Sequence, residues 1–221
     1  MLKMPKKFDL IVFDWDGTLM DSTSTIVYSI QGACRDLGLP VPSDYAASHI
    51  IGLGLNEAIA HLLPQLPQAE YPHLIQRYRY YYLGKDHEIP LFAGADNVVR
   101  DLHAAGFLLG VATGKGRHGL DRVLDQTGLR PYFHATRCAD ECFSKPHPEM
   151  LEQIMNELGM ARECTLMIGD TSHDLLMAKN AGVAALAVSY GAHTRADLLT
   201  HAPLECVDTI QEMETWLLTN A

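Results

Sequence analysis

Hydrophobic positions along this chain follow two periods. Leu10-Ile11-Val12-Phe13 is an unbroken apolar run, half of it β-branched, and reads as a strand buried on both faces. It runs straight into Asp14-Trp15-Asp16-Gly17-Thr18. From residue 20 to about 37 the spacing becomes helical, with Ile26, Val27, Ile30, Ala33, Cys34 and Leu37 on one stripe and Gly38 as the stop. Leu39-Pro40-Val41-Pro42 is a linker, and residues 43–50 carry no clear period. A Gly-punctuated turn, Ile50-Ile51-Gly52-Leu53-Gly54-Leu55-Asn56, feeds a helix that reaches Leu63, and Pro64 and Pro67 then interrupt the chain. Residues 71–83 are helical and carry Tyr78, Tyr80, Tyr81 and Tyr82, whose rings are expected to pack while their hydroxyls reach water. No strand pattern occurs between 20 and 88, so this stretch reads as an all-helical module.

Beyond it, strands and helices alternate. A helix over 97–105 stops at Gly106, a strand covers 107–112, and a helix over 117–127 ends at Gly128. A short strand follows at 133–136, then a helix over 148–158 with Pro148 early and Gly159 just past its end. Strand 165–168, helix 173–181, strand 184–188 and a last edge strand at 205–207 complete the order. Such alternation predicts an α/β fold, a doubly wound parallel sheet with right-handed crossovers. Residues 1–18 and 89–221 would form the core, and 19–88 an inserted helical cap.

Composition narrows the classes. At 221 residues and 48% hydrophobic, the chain can bury a full core. Its net charge of −10 argues against nucleic acid and anionic membranes as partners. An anionic substrate would then need a metal or locally placed cations. The five cysteines show no CxxC spacing, and scattered reduced thiols point to a cytoplasmic protein. Met1-Leu2-Lys3-Met4-Pro5-Lys6-Lys7 is basic but has no apolar segment or cleavage site, and no run is long enough to span a bilayer.

Candidate chemistry gathers at strand ends, where ligands sit in such sheets. The first strand delivers Asp14 and Asp16, the second Thr113, Gly114 and Lys115, and the fourth Asp170 with Asp174 a turn later. Lys145 lies in the loop before the helix at Pro148. Singly, each has an ordinary role as turn, cap or surface residue. Together they suit phosphoryl transfer. Thr113, Gly114 and Lys145 offer a hydroxyl, a backbone N–H and a cation to phosphate oxygens. The carboxylates of Asp14, Asp16 and Asp170 suit a hard cation such as Mg²⁺, and a carboxylate can itself attack phosphorus.

The chain also resembles a known family. Asp14-Trp15-Asp16-Gly17-Thr18-Leu19-Met20-Asp21-Ser22 looks like the first motif of the haloacid dehalogenase superfamily. Thr113 resembles its second motif, Ser144-Lys145-Pro146-His147-Pro148 its third, and Gly169-Asp170-Thr171-Ser172-His173-Asp174 its fourth. The nearest subgroup is the phosphoglycolate-phosphatase-like hydrolases with a small helical cap. The resemblance implies a phosphatase in which Asp14 is nucleophile and Mg²⁺ ligand. Asp16 would be the acid/base, with its backbone carbonyl on the metal. Thr113 and the Gly114 N–H would hold phosphate oxygens, Lys145 would neutralise charge, Asp170 would bind Mg²⁺, and Asp174 would hold a metal-bound water or Lys145. Gly52, Leu53 and Asn56 match the position of the cap loop that contacts substrate. That loop has no Lys or Arg, so small or neutral leaving groups are expected.

Departures from the family pattern matter too. Thr113-Gly114-Lys115-Gly116 replaces the Thr-Asn-Lys-Pro run of many phosphoglycolate phosphatases, and Trp15 replaces an aliphatic residue or Phe. The rival readings are a sugar phosphomutase and, in a different class, a receiver-like module that accepts phosphate on Asp without turnover. The expected partner is a small phosphorylated metabolite, and the chain a monomer or homodimer.

Overall fold

The computed structural model describes residues 7–221, so the basic stretch at 1–6 lies outside the described residues. Strands β1 (Leu10–Phe13), β2 (Leu108–Thr113), β3 (Ala135–Cys138), β4 (Thr165–Gly169), β5 (Ala184–Val188) and β6 (Cys206–Val207) form one sheet in the order β3-β2-β1-β4-β5-β6. Every neighbouring pair is parallel. Val12 sits opposite Gly110 on one side and Met167 on the other, so β1 is the central strand, where the winding reverses direction. Its side chains alternate as the pleat requires. Ile11 and Phe13 enter the core on one face, Leu10 and Val12 the core on the other. This explains an apolar run without polar positions.

Helices α5 (Ala95–Ala104), α6 (Arg117–Thr127) and α10 (Ile210–Asn220) cover the first face. Helices α7 (Glu149–Leu158) and α8 (Ser172–Ala181) cover the second, and α9 (Arg195–Leu199) packs near the β6 edge. The third strand differs from the sequence reading by two residues. Phe133 stands outside β3 and meets Phe13 and Trp15 edge-on, with ring centroids 6.5 and 6.2 Å away. A core plug next to a strand carries the same apolar signal as a strand residue.

Between β1 and α5 the chain forms α1 (Thr23–Asp36), α2 (Asp44–His49), α3 (Leu55–Leu62) and α4 (Tyr71–Leu83). These helices share an apolar cluster of their own, which includes Ile30, Ile59 and Leu74. Helix α2 is too short to show a period. It is set by Ser43, whose hydroxyl accepts from the Ala46 N–H at 3.2 Å. The two chain crossings into this insert lie side by side. Met20 forms an antiparallel bridge with Leu91, Asp21 N donates to Pro90 O, and Phe92 N donates to Leu19 O, both at 3.0 Å.

The tyrosines of α4 do not all reach water. Tyr80 is exposed, and Tyr81 donates to Asp36 at 2.9 Å. Tyr78 and Tyr82 turn inward and stack at 5.7 Å, and the Tyr82 hydroxyl accepts from Lys115 Nζ at 2.8 Å. Helical spacing placed the four on a helix. It did not say which face the core would cover.

Candidate active site

The site forms where β1 ends. Asp14 follows the strand directly, its N–H donating to Ile168 O at 2.9 Å, so its side chain is fixed by the sheet. Lys145 Nζ reaches in from the loop before α7, 2.8 Å from Asp14 Oδ1 and 2.7 Å from Asp174 Oδ1. All three side chains are fully enclosed. Asp14 Oδ1 faces the Lys145 ammonium, and Asp14 Oδ2 has no hydrogen-bond partner. Asp174 is spoken for: its other oxygen takes the Thr171 N–H at 3.1 Å and the Thr171 hydroxyl at 2.7 Å. Asp170 accepts from Thr18 Oγ1 at 2.8 Å and from Ala192 N at 2.7 Å. It fits only because Gly17 and Gly191 lack side chains. A Cβ on either would lie 2.2 Å from Asp170 Oδ2, and Gly17 also holds φ +82°.

Burial dominates the electrostatics. It pushes the Asp14 carboxyl up to about 7, with Asp174 adding to the rise and Lys145 opposing it. Asp170 is also raised well above the carboxylate range, again first by burial and then by Asp14 and Asp174. Burial acts against the charge on Lys145, but Asp14 and Asp174 outweigh it and hold the ammonium above its ordinary value. Asp14, Asp170 and Asp174 each offer an oxygen within 4.8 Å of the others. A bare, buried carboxylate oxygen beside two more carboxylates is an unfavourable arrangement unless a cation completes it. These residues therefore fit a divalent metal.

A second group lies on the side facing the insert. Asp16 points away from the three-carboxylate cluster. Its Oδ1 accepts from Ser22 Oγ at 2.6 Å and lies 2.9 Å from Lys115 Nζ. Thr113 is fully enclosed, and its Oγ1 accepts from Lys115 N at 3.2 Å, which leaves its O–H free to donate. Gly114 meets the insert: a Cβ there would lie 2.6 Å from both the Gly52 and Leu53 carbonyls. A Cβ on Gly52, which has φ +92°, would come within 4.0 Å of Asp14 Oδ2. The Gly54 N–H donates to Ser144 Oγ at 2.8 Å. Gly52 and Leu53 are thus brought to the site, whereas Asn56 is exposed and outside the cavity that opens beside Asp16.

Residues 11–188 match the family model for haloacid dehalogenase-like hydrolases. The chain belongs to this hydrolase family. Among its relatives is the protein named "Probable phosphatase IndB" from Dickeya dadantii, 37% identical over 92% of this chain and 91% of the relative. Another is a phosphoglycolate phosphatase of Vibrio cholerae, 31% identical over 84% of this chain and 86% of its own length. The crystal structure of a predicted phosphoglycolate phosphatase from Haemophilus somnus superimposes with a TM-score of 0.83 at 25% identity, covering 96% and 99% of the two chains.

Within this haloacid dehalogenase-like chain, the sequence places Lys115 at the strand edge without a role; it joins Asp16 of the core to Tyr82 of the insert. Burial opposes its charge, and Asp16 with Tyr82 and Tyr78 overrides that and raises it. His193, nearly enclosed, stacks on His49 of the insert at 4.4 Å and takes the Ser172 N–H on Nδ1 at 3.0 Å. Its Nε2 then carries the proton and donates to His49 O at 3.2 Å, beside His173, whose Nε2 lies 2.8 Å from the same oxygen. Burial lowers His193 to about 4, with His49 and His173 adding to the fall, so at neutral pH His193 meets the insert as a neutral ring. All of these contacts span long sequence separations, which local pattern does not reveal.

Proposed function

We propose that this chain is a Mg²⁺-dependent phosphomonoesterase that works through an aspartyl-phosphate. The observation that carries the reading is Asp14 Oδ2: a buried carboxylate oxygen at the end of the central strand, without a hydrogen-bond partner, on a side chain braced by Lys145. Such an oxygen is oriented and desolvated, which suits a nucleophile. Asp14 attacks phosphorus as the bond to the alcohol oxygen breaks, and Asp16 gives that oxygen its proton. Water then attacks the acyl phosphate, Asp16 takes the water's proton, and phosphate leaves with the Asp14 carboxylate restored. Thr113 Oγ1 and the Gly114 N–H hold phosphoryl oxygens in both steps, and Lys145 carries part of their charge. Asp14 and Asp170 would hold Mg²⁺ together with the Asp16 backbone carbonyl, while Asp174 keeps Lys145 in place. When bound, Mg²⁺ supplies positive charge against the phosphoryl oxygens. Helices α1 to α4 act as the cap. The cysteines Cys34, Cys138, Cys142, Cys164 and Cys206 are all free thiols, which supports a reducing compartment such as the cytoplasm. Among the described residues no helix is long and apolar enough to cross a membrane.

The direct test is multiple-turnover release of inorganic phosphate from a primary alkyl phosphate. It should be lost with a chelator and restored by Mg²⁺. Release of no more than one phosphate per chain, or isomerisation without release, would overturn the reading.

Metal affinity should depend on pH with a definite sign. Asp14 is raised to about 7 by burial, so below that pH a proton competes with the cation. The calorimetric Kd for Mg²⁺ should fall by roughly tenfold or more per unit as pH rises from about 5 to 6.5, because protons on Asp14 and Asp170 both compete with the cation. The metal-free fold should show the opposite trend. A raised folded-state value means stability present at low pH and lost as pH rises toward 7. A Kd constant across this range would remove Asp14 from the metal set.

A further inference from the structure

We propose that the alcohol released by this site is apolar and about the size of an aromatic ring with a short linker, not a carboxylate-bearing one. The proposal rests on the phosphomonoesterase reading above and concerns what lies beyond the phosphoryl group.

A cavity of about 340 Å³ opens beside Asp16 and runs between the insert helices. That is the lower end of the size range of small-molecule pockets. It begins at Asp16, Gly114 and Lys115, where the leaving oxygen would sit. It continues between Ile30 of α1, Ile59 of α3, and Leu74, Ile75 and Tyr78 of α4, with Leu53 on the loop above. Helix packing alone would close such a space. Apolar side chains around a gap lose dispersion contacts and gain nothing in return. An apolar ligand body restores those contacts, and the inward-facing Tyr78 ring offers it a flat face.

Two of the cations lining the cavity are already paired. Lys115 is held by Asp16 at 2.9 Å and donates to Tyr82 at 2.8 Å. Arg122 is held by Asp86 at 2.6 Å through one terminal nitrogen, and its buried Nε has no hydrogen-bond partner. Arg79 and His118 also line the cavity but are exposed to solvent, as is Asp140. A substrate carboxylate would have to take Lys115 from Asp16, the proposed acid/base. An apolar group leaves that pair intact.

The test uses primary alkyl phosphates whose leaving groups are close in acidity: ethyl phosphate and 3-phenylpropyl phosphate, with phosphoglycolate as the anionic comparison. Wild-type kcat/KM should favour 3-phenylpropyl over ethyl phosphate by roughly 50-fold, the yield of burying one aromatic ring. Phosphoglycolate should fall at or below ethyl phosphate. Ile75→Lys places an ammonium on the cavity wall and should shrink the phenylpropyl-to-ethyl ratio to within about fivefold. Because each ratio is taken within one protein, a lower folded fraction cancels. Equal kcat/KM for phenylpropyl and ethyl phosphate, or a preference for phosphoglycolate, would overturn the proposal while leaving the phosphatase reading in place. Calorimetry with 3-phenylpropylphosphonate and ethylphosphonate separates the opposite failure. A large affinity ratio without hydrolysis of any ester would support the cavity and sink the phosphatase; no ratio in binding or turnover sinks the cavity.

Discussion

Asp14→Asn should lower kcat by on the order of 10⁴ or more while leaving the fold intact. The amide keeps the shape of the carboxylate but cannot form the acyl phosphate, so the two-step path is lost. It also removes one oxygen from the metal set and the charge that faces Lys145 at 2.8 Å. The same change should not destabilise the metal-free protein. The native carboxylate is disfavoured there, its acidity shifted to about 7 chiefly by burial, and a neutral amide escapes that cost. The expected result is therefore a variant with residual turnover at the limit of detection and a melting temperature at pH 8, without metal, equal to or above that of the wild type. Phosphate release and a thermal melt on one preparation settle both points. Turnover within tenfold of wild type would remove Asp14 as nucleophile.

Lys145→Met should have the second largest effect, and here stability falls with activity. Met matches the length of the lysine stem but leaves Asp14 and Asp174 without the ammonium now 2.8 and 2.7 Å away. Removing one partner from a buried ionic group typically costs about 3–5 kcal/mol, because the remaining charge stays buried and uncompensated. That cost should depend on pH. With the cation gone, Asp14 lies still further above its unfolded value, so stability is kept in acid and lost as pH rises. Urea unfolding should show a small deficit near pH 5 and the full deficit near pH 8, partly recovered by Mg²⁺. Activity should drop about 10³-fold, since charge on the phosphoryl group goes unanswered. An equal deficit at both pH values would mean that Lys145 packs and does not neutralise.

Both variants fall on residues that were legible in the sequence, and the reason is physical. Asp14 and Asp170 follow, and Thr113 closes, strands whose apolar runs are visible, and a parallel sheet delivers all such ends to one edge. The alternation of strand and helix therefore gave the fold class and this edge together. What stayed hidden depends on contacts between distant segments. Lys115 is placed at the site edge by its strand but has no role until α4 brings Tyr82 to it, and His49 means little until His193 stacks on its ring. Asn56 looked equal to Leu53 in a Gly-rich loop, but α3 starts at Leu55 and turns Asn56 outward. Phe133 carried a strand signal because a core-filling ring and a strand residue are equally apolar.

The paired crossings at Met20 and Leu91 have a mechanical consequence. Two tethers zipped together by a bridge and two backbone hydrogen bonds act like a pair of pins on one edge of a door. Such a mounting suppresses twist and sliding and leaves mainly a swing about the line through the pins. The insert is also held where the Gly54 N–H donates to Ser144 Oγ, on the loop that also supplies Lys145. Swinging the insert away from the core would have to break the Gly54–Ser144 hydrogen bond, while the paired crossings could stay intact.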